Sequence, residues 1–323
     1  MQTKSDRDSN APDPGELRLA NSSDASSEDL ERLSKSRDPS ILNALALNPS
    51  TTPSILNRLA ALDDSALNTS IHKRKLSMIH PTAIVSPKAV LGHDVKVGAY
   101  TIINGNVIIG DETVIGSHCE IGFETPLAEG KPLVIGNSSL IRSHSVFYEG
   151  STLGERLVTG HRVTVREKTE AGKNLQIGTL CDIQGHCTIG DYVRFHSNVH
   201  IGHHSKIGDY VWIFPYVVLT NDPHPPSHVM MGVTIEDFVA IATMTVILPG
   251  VTVRKGALVG AHSSVAKDVE EDVVVAGSPA KFICETSKLK LKDGSESPAY
   301  PWRRHFHRGY PEEVVQDWIK EFS

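Results

Sequence analysis

The stretch IQGHCTIGDYVRFHSNVHIGHHSKI, residues 183–207, decides the fold. Ile183, Ile189, Phe195, Ile201 and Ile207 stand six apart, and Cys187, Val193, Val199 and Ser205 each follow one of them by four. A helix repeats every 3.6 residues and a half-buried strand every two, so neither keeps this register. Working outward, the register runs from Ile79 to Val265 through 29 positions, of which 25 are Ile, Leu or Val. Two segments interrupt it, Pro126–Val134 and Pro223–Thr234. A six-residue period implies a solenoid of short strands meeting at tight corners, each hexad turning one large and one small side chain inward. Gly110, Gly116, Gly190, Gly202 and Gly208 follow the aliphatic position and are expected to ease those corners. Three hexads make a coil of 18 residues, so the register predicts nine to ten stacked coils, about 45 Å long at ~4.8 Å per coil. Residues 18 apart then lie one above the other.

The flanks read differently. Residues 1–27, rich in Ser, Asp, Asn and Pro, lack apolar periodicity and are expected to form a disordered tail. Residues 28–76 read as a small helical region. Asp38-Pro39-Ser40-Ile41-Leu42-Asn43 recurs as Thr52-Pro53-Ser54-Ile55-Leu56-Asn57, with Asp38 and Thr52 as N-caps and Pro39 and Pro53 at the first helical position. The phrase resembles leucine-rich-variant helical repeats. Its place at the start of the solenoid suits an end cap, which solenoids need. The prism domain spans 77–284. The extension 285–323 carries Lys288, Lys290, Lys292, Arg303, Arg304 and Arg308, then an amphipathic helix opened by Pro311 with Val314, Val315, Trp318, Ile319 and Phe322 on one side.

Composition narrows the function. Of 323 residues, 39% are hydrophobic and only 6% aromatic, which suits a narrow prism filled by aliphatic side chains. A net charge of −6 argues against a general nucleic-acid binder, since duplex affinity comes mainly from neutralised phosphates. Four cysteines do not make a disulfide framework, and Cys119, Cys181 and Cys187 fall at inward hexad positions as small fillers. No apolar run reaches the length of a membrane span, and the first 30 residues hold no apolar signal-like run. The expected location is cytoplasmic.

Beyond the hexads, Ile247-Leu248-Pro249-Gly250-Val251-Thr252-Val253 and Val275-Ala276-Gly277-Ser278-Pro279-Ala280-Lys281 are similar to the C-terminal signatures of the hexapeptide-repeat acyltransferases, the left-handed β-helix family. The resemblance covers residues 79–284. It implies a mainly β fold, a left-handed parallel β-helix carrying the helical N-terminal region and the C-terminal helix. It also implies a homotrimer with acyl-CoA bound between parallel prisms. Leu219-Thr220-Asn221-Asp222-Pro223-His224-Pro225-Pro226 resembles the loop of acetyltransferases acting on sugars. It joins the Thr-Asn-Asp of amino-sugar-nucleotide branches to the His-Pro of free-sugar branches.

Acetyl transfer from a thioester needs a base for the acceptor proton, a donor for the developing carbonyl charge and a hold on the cofactor. Histidine titrates near neutrality. The expected general base is His224, in a loop stiffened by three prolines. His203 is the second candidate, by local similarity to a catalytic histidine of an amino-sugar branch. Stacking by 18 is expected to set Asn221 over His203 and Asp222 over His204, where a His–Asp pair would orient an imidazole. With an amine acceptor, Asn221 and Asp222 need only hold the amino group. For acetyl-CoA the resemblance points to Ala242, Thr243, Gly260 and Ala261 at close-approach corners, with Lys267 and Lys281 for the phosphates. The first interruption is expected to project and help enclose the acceptor.

The favoured reading is N-acetylation of a sugar or sugar nucleotide. O-acetylation of a sugar or small hydroxyl compound, and a non-catalytic scaffold, remain open beside it. A zinc-binding γ-class carbonic anhydrase requires two histidines five apart near one corner. The prism offers His196 and His200 four apart and His200 and His203 three apart, so no metal is expected.

Overall fold

Hexads become strands because each aliphatic residue turns inward while the chain bends on either side of it. The computed structural model describes residues 12–297, 299 and 310–321. Of the 29 hexad positions, 28 lie in short strands, and Ile79 makes a single bridge. The strands form three sheets, parallel but for the final strand, that are the faces of a β-helix. Face 1 has ten strands, from Ile84–Val85 to Ser264–Val265. Face 2 has nine, from Val90–Leu91 to Thr252–Val253. Face 3 has eleven, from Lys96–Val97 to Leu258–Val259, then Val273–Ala276 in parallel and Lys281–Glu285 antiparallel.

The ladder steps by 18, as in Ile183 beside Ile201 and Ile201 beside Leu219. It survives both interruptions. Ile109 pairs with Ile135, a step of 26, and Ile207 with Ile235, a step of 28. Each extra segment therefore leaves the prism at a corner and returns in register. Inside, Phe147, Ile183, Ile201 and Ile213 are fully enclosed, and Thr101, Thr113, Cys181 and Cys187 fill the small positions. Burial pushes the Cys181 and Cys187 thiols up to about 11, which keeps them inert at neutral pH.

The corner glycines serve a different purpose from the one expected. At most corners the left-handed residue is not glycine but the residue two later, as at Glu112, Tyr192, His204 and Tyr210, with φ of 58°, 58°, 63° and 59°. The glycine instead lies under the next coil. A Cβ on Gly208 would sit 2.3 Å from Asp237 Oδ1 and 2.8 Å from its backbone nitrogen. Close approach between coils, not backbone handedness, selects glycine there.

The described residues form two compact units, with the first running through Ile79 and including His93–Val95. In that unit α1 (Pro14–Ala20), α2 (Ser27–Leu33), α3 (Pro39–Leu47), α4 (Pro53–Ala60) and α5 (Ser65–Ser77) surround their own core. Asp38 caps α3 by accepting from the Ser40 nitrogen, and Thr52 caps α4 by accepting from that of Ile55. Ile41, Leu42, Leu45, Ile55, Leu56 and Leu59 are all buried. The expected disordered tail of residues 1–27 needs correction over part of its length. Asp13 caps α1, Pro14 opens it, and Ala20 is buried in the core, so a short capped helix lies in a stretch with no visible period. Residues 1–11 lie outside the described residues.

In the second unit the extension returns to the prism. Tyr310 and then Val314 and Val315 of α6 (Glu312–Glu321) pack against Tyr192 beside Tyr210, Trp212 and Phe238. The side chains of Trp318 and Ile319, with Arg303, Arg304, Arg308 and Phe322, lie outside the described residues. No helix among the described residues is long and apolar enough to cross a membrane.

Candidate active site

The edge between faces 1 and 2 gathers histidines and charged side chains. Strand His200–Ile201 of face 1 leads through Gly202-His203-His204 to strand Lys206–Ile207 of face 2. One coil below, Gln184-Gly185-His186 makes the same turn, and below that Arg166-Glu167-Lys168. The His186 and His204 rings lie tilted to each other with centroids 5.1 Å apart, and His203 lies 6.0 Å from each of them.

His203 is half-buried. Burial, then the positive charge of Arg166, hold its imidazole below the ordinary value, while a hydrogen bond to the Gly185 carbonyl opposes them. Gly185 has no room for a side chain. Its φ is +93°, and an added Cβ would stand 2.4 Å from the Glu167 carbonyl oxygen. Burial, His204 and Lys168 push His186 down in the same way.

Arg166 is anchored from the inside. Its Nη2 lies 2.9 Å from Oε1 and its Nε 3.2 Å from Oε2 of Glu167, whose side chain is 0% exposed. A carboxylate so deeply placed needs a matched cation, and the two-pronged guanidinium supplies it. Below Arg166 lies the ring of Tyr148, 5.7 Å from the guanidinium carbon, and Phe123 packs 4.7 Å from Tyr148.

Both interrupting segments leave from this edge. In the first, Pro126–Ala128 forms a single 3-10 turn and Glu129 pairs with Lys168. In the second, Asp222 Oδ1 accepts from the His224 nitrogen at 2.9 Å, and Oδ2 from the Ser227 nitrogen at 3.1 Å. The expected His–Asp stack is therefore not formed. Ten inserted residues shift the register, so Gly232 rather than Asp222 lies over His204, where its added Cβ would be 1.9 Å from the His204 carbonyl oxygen. Asn221 Oδ1 lies 2.8 Å from a Cβ added to Gly202, the same offset as Asp191 over Gly172 in an unbroken coil. His224 is exposed, and its backbone nitrogen alone is tied down, by Asp222.

A histidine–carboxylate pair does exist, where stacking by 18 along a strand places it. His200 Nδ1 lies 3.2 Å from Asp182 Oδ2, and Gln184 Nε2 donates to the same oxygen. Burial alone would raise the Asp182 carboxyl, but these bonds outweigh it and hold the group below its usual range. Sequence reasoning missed this pair and the Arg166–Glu167 pair. The 18-residue spacing of Asp182 and His200 was the available signal for the first.

The expected cofactor residues divide. Ala242 and Thr243 follow strand Ala240–Ile241, and Gly260 and Ala261 follow strand Leu258–Val259, so all four share the edge between faces 3 and 1. Lys281 pairs with Ala276, whose Cβ would lie 2.8 Å from one added to Gly260, so it belongs to the same edge. Lys267 follows strand Ser264–Val265 and lies on the histidine edge instead. Both lysines are exposed. Among the described residues no group of three or more His, Cys, Asp or Glu is placed to hold a metal.

Comparison with known proteins agrees with the repeat. A family model described as bacterial transferase hexapeptide (six repeats) matches residues 77–122. Galactoside O-acetyltransferase of Escherichia coli (strain K12) is 34% identical over 116 residues, covering 29% of this chain and 57% of the relative. The 2,3,4,5-tetrahydropyridine-2,6-dicarboxylate N-acetyltransferase of Staphylococcus aureus (strain JH9) is 47% identical over 73 residues, covering 23% of this chain and 30% of the relative. The chain thus spans less than two thirds of the length of either relative. Among solved structures, the UDP-N-acetylglucosamine acyltransferase of Arabidopsis is 23% identical with a TM-score of 0.42, over 64% of this chain and 74% of that one. With 28 hexads folded into one parallel prism, the chain carries the hexapeptide repeat and is similar over part of its length to acetyltransferases.

Proposed function

We propose that the chain transfers an acetyl group from acetyl-CoA to the amine of a sugar or sugar nucleotide, with His203 as general base. The observation that carries this is the state of His203. It is half-buried at the corner from which both loops leave, and burial and the charge of Arg166 lower its pKa. A base with a depressed pKa beside two projecting loops is what proton removal from an acceptor requires. His224 has no comparable support for its ring, so the proposal moves the base from the loop to the corner. Asn221 and the segment held by Asp222 then flank the acceptor.

The donor residues lie on the opposite edge of face 1 from His203. Ala242, Thr243, Gly260 and Ala261 leave room for backbone close to a pantetheine arm, and Lys281 stands near for phosphate. One prism cannot bring these two edges together. A second copy can set its donor edge against the first copy's histidine edge, and a closed trimer does this three times over. The thioester carbonyl gains negative charge as the acceptor attacks, and His203 takes the acceptor's proton. O-acetylation is the second reading, favoured by the His224-Pro225 pair and by the name of the Escherichia coli relative.

Titration of the purified chain with acetyl-CoA, followed by CoA release over amino-sugar nucleotides and free sugars, tests the proposal. Binding with release on an amino-sugar nucleotide is expected. Absence of binding at millimolar acetyl-CoA would leave a scaffold, and failure across the acceptor panel would remove the substrate class. Light scattering at a trimer mass is expected for the assembly, and a monomer that retains activity would overturn the shared site.

A further inference from the structure

Tyr148, Arg166, Gln184 and Gly202 occupy one column, each one coil above the last. Phe123 extends it downward against Tyr148, and Asn221 closes it at the top over Gly202. The column runs up the histidine edge and ends beside His203. At the fourth position stands Gly202, whose missing side chain makes room for the Leu219 carbonyl oxygen and Asn221 Oδ1, 2.7 and 2.8 Å from an added Cβ. The aromatic end and the reactive end are three coils apart, roughly 14 Å at ~4.8 Å per coil.

Arg166 is the central group of this column. A guanidinium has five N–H donors. Among the described residues three are committed inward or upward, two to Glu167 and one to Gln184 Oε1 at 3.4 Å. Glu167 is fully enclosed and makes both its bonds to Arg166, so it fixes the direction of the fork. The Arg166 side chain is 28% exposed, so the uncommitted edge faces the surface between the two loops. Its neighbour Lys168 is already used by Glu129, which leaves Arg166 as the cation of this corner poised toward a ligand.

The geometry points to Arg166 as the acceptor-recognition residue, taking an anionic oxygen of the acceptor about two coils below His203, with Glu167 as its positioning residue. This rests on the proposed acetyl transfer at His203 and narrows it. The acceptor carries, besides its amine or hydroxyl, an oxyanion roughly 10 Å away, two coils along the axis. Two sources have that chemistry: the phosphate of a sugar nucleotide and the carboxylate of an amino acid-like amine. With a sugar nucleotide, the exposed Phe123 ring, packed against Tyr148, stands at the far end where a base would rest.

The experiment has a binding arm and a transfer arm. Uridine diphosphate and, separately, a small dicarboxylate (pimelate) are titrated into the wild-type chain, Arg166→Gln and Arg166→Lys, with melting curves to confirm that each variant is folded. Wild type is expected to bind one of the two probes. Arg166→Gln should weaken that probe about ten- to hundredfold, and Arg166→Lys should restore only part of it. Binding of uridine diphosphate would assign the phosphate source, and binding of the dicarboxylate the carboxylate source. No binding of either by wild type, or equal binding by folded Arg166→Gln, overturns the inference. In the transfer arm, Arg166→Gln should raise KM for the anionic acceptor while leaving KM for acetyl-CoA unchanged. An equal KM for the anionic acceptor in wild type and Arg166→Gln would overturn Arg166 as its recognition residue while leaving acetyl transfer standing. Probe binding that depends on Arg166, without CoA release on any acceptor, would do the reverse.

Discussion

Two edges of the same prism, built from the same hexad, use their corner residues in opposite ways. On the edge between faces 2 and 3, Asp209 Oδ1 accepts from the Asp191 nitrogen at 2.7 Å, and Asp237 Oδ1 from the Asp209 nitrogen at 3.0 Å. Each carboxylate there finishes the backbone of the coil below. Outside them Tyr192, Tyr210 and Phe238 stack at 5.2 and 5.1 Å, and Tyr310 closes over the stack edge-on. On the edge between faces 1 and 2 the corner positions hold His186, His203 and His204, and two loops stand out from it without covering it by a helix. The first edge spends its polar groups on the fold and is roofed. The second keeps imidazoles and an anchored arginine turned toward solvent. The difference separates corners whose side chains complete the backbone of the next coil from corners whose imidazoles are not used in that way.

The contrast predicts that variants on the roofed edge change stability and not rate. Gly208→Ala should be the most damaging, by about 1–3 kcal/mol, since its methyl meets both Asp237 Oδ1 and the Asp237 backbone. A melting temperature equal to wild type would show that the coils relax apart there. Tyr310→Phe removes the hydroxyl that accepts from the Trp212 indole and donates to the Tyr192 carbonyl at 3.2 Å. It should cost about 1 kcal/mol with the acetylation rate unchanged. A fall in rate without a fall in stability would place α6 in the chemistry.

The smallest expected effect is a pH displacement on the open edge. Arg166 lowers the His203 pKa by its charge, so neutral His203 persists to lower pH than an ordinary imidazole would. The rate should therefore fall on acidification only below the usual histidine range. Arg166→Gln should move that fall upward in pH, because the charge that disfavours protonation is gone. An acid limb that stays in place, or moves down, would remove Arg166 from the electrostatics of the base.

Most of the prism was legible because a six-residue period can only arise when every turn of the chain repeats one environment. Ile183, Ile201 and Leu219 needed no tertiary knowledge to be set in one column. The site was legible only where the step of 18 held. It held for Asp182 and His200, which lie within unbroken coils. It failed for Asp222, because inserted residues rejoin the ladder at Gly232 and turn the acid back into its own loop. The Arg166–Glu167 pair was hidden for another reason. Two adjacent residues on a strand point to opposite sides, and only the bend of the corner brings their side chains together. Helix α1 was missed because seven residues, Pro14–Ala20, are too few to show a period, and its capping by Asp13 was the local signal.

The central claim is that the open edge does chemistry and the roofed edge does not. Acetyl-CoA-dependent acetylation and thermal melting, measured together on His203→Ala, His224→Ala and Asp209→Ala, test it directly. His203→Ala should lose about 10²–10⁴-fold in kcat while melting like wild type. His224→Ala should stay near the wild-type rate. Asp209→Ala should melt earlier and keep its rate. A His203→Ala enzyme that turns over like wild type, with the loss falling on His224→Ala instead, would contradict the account.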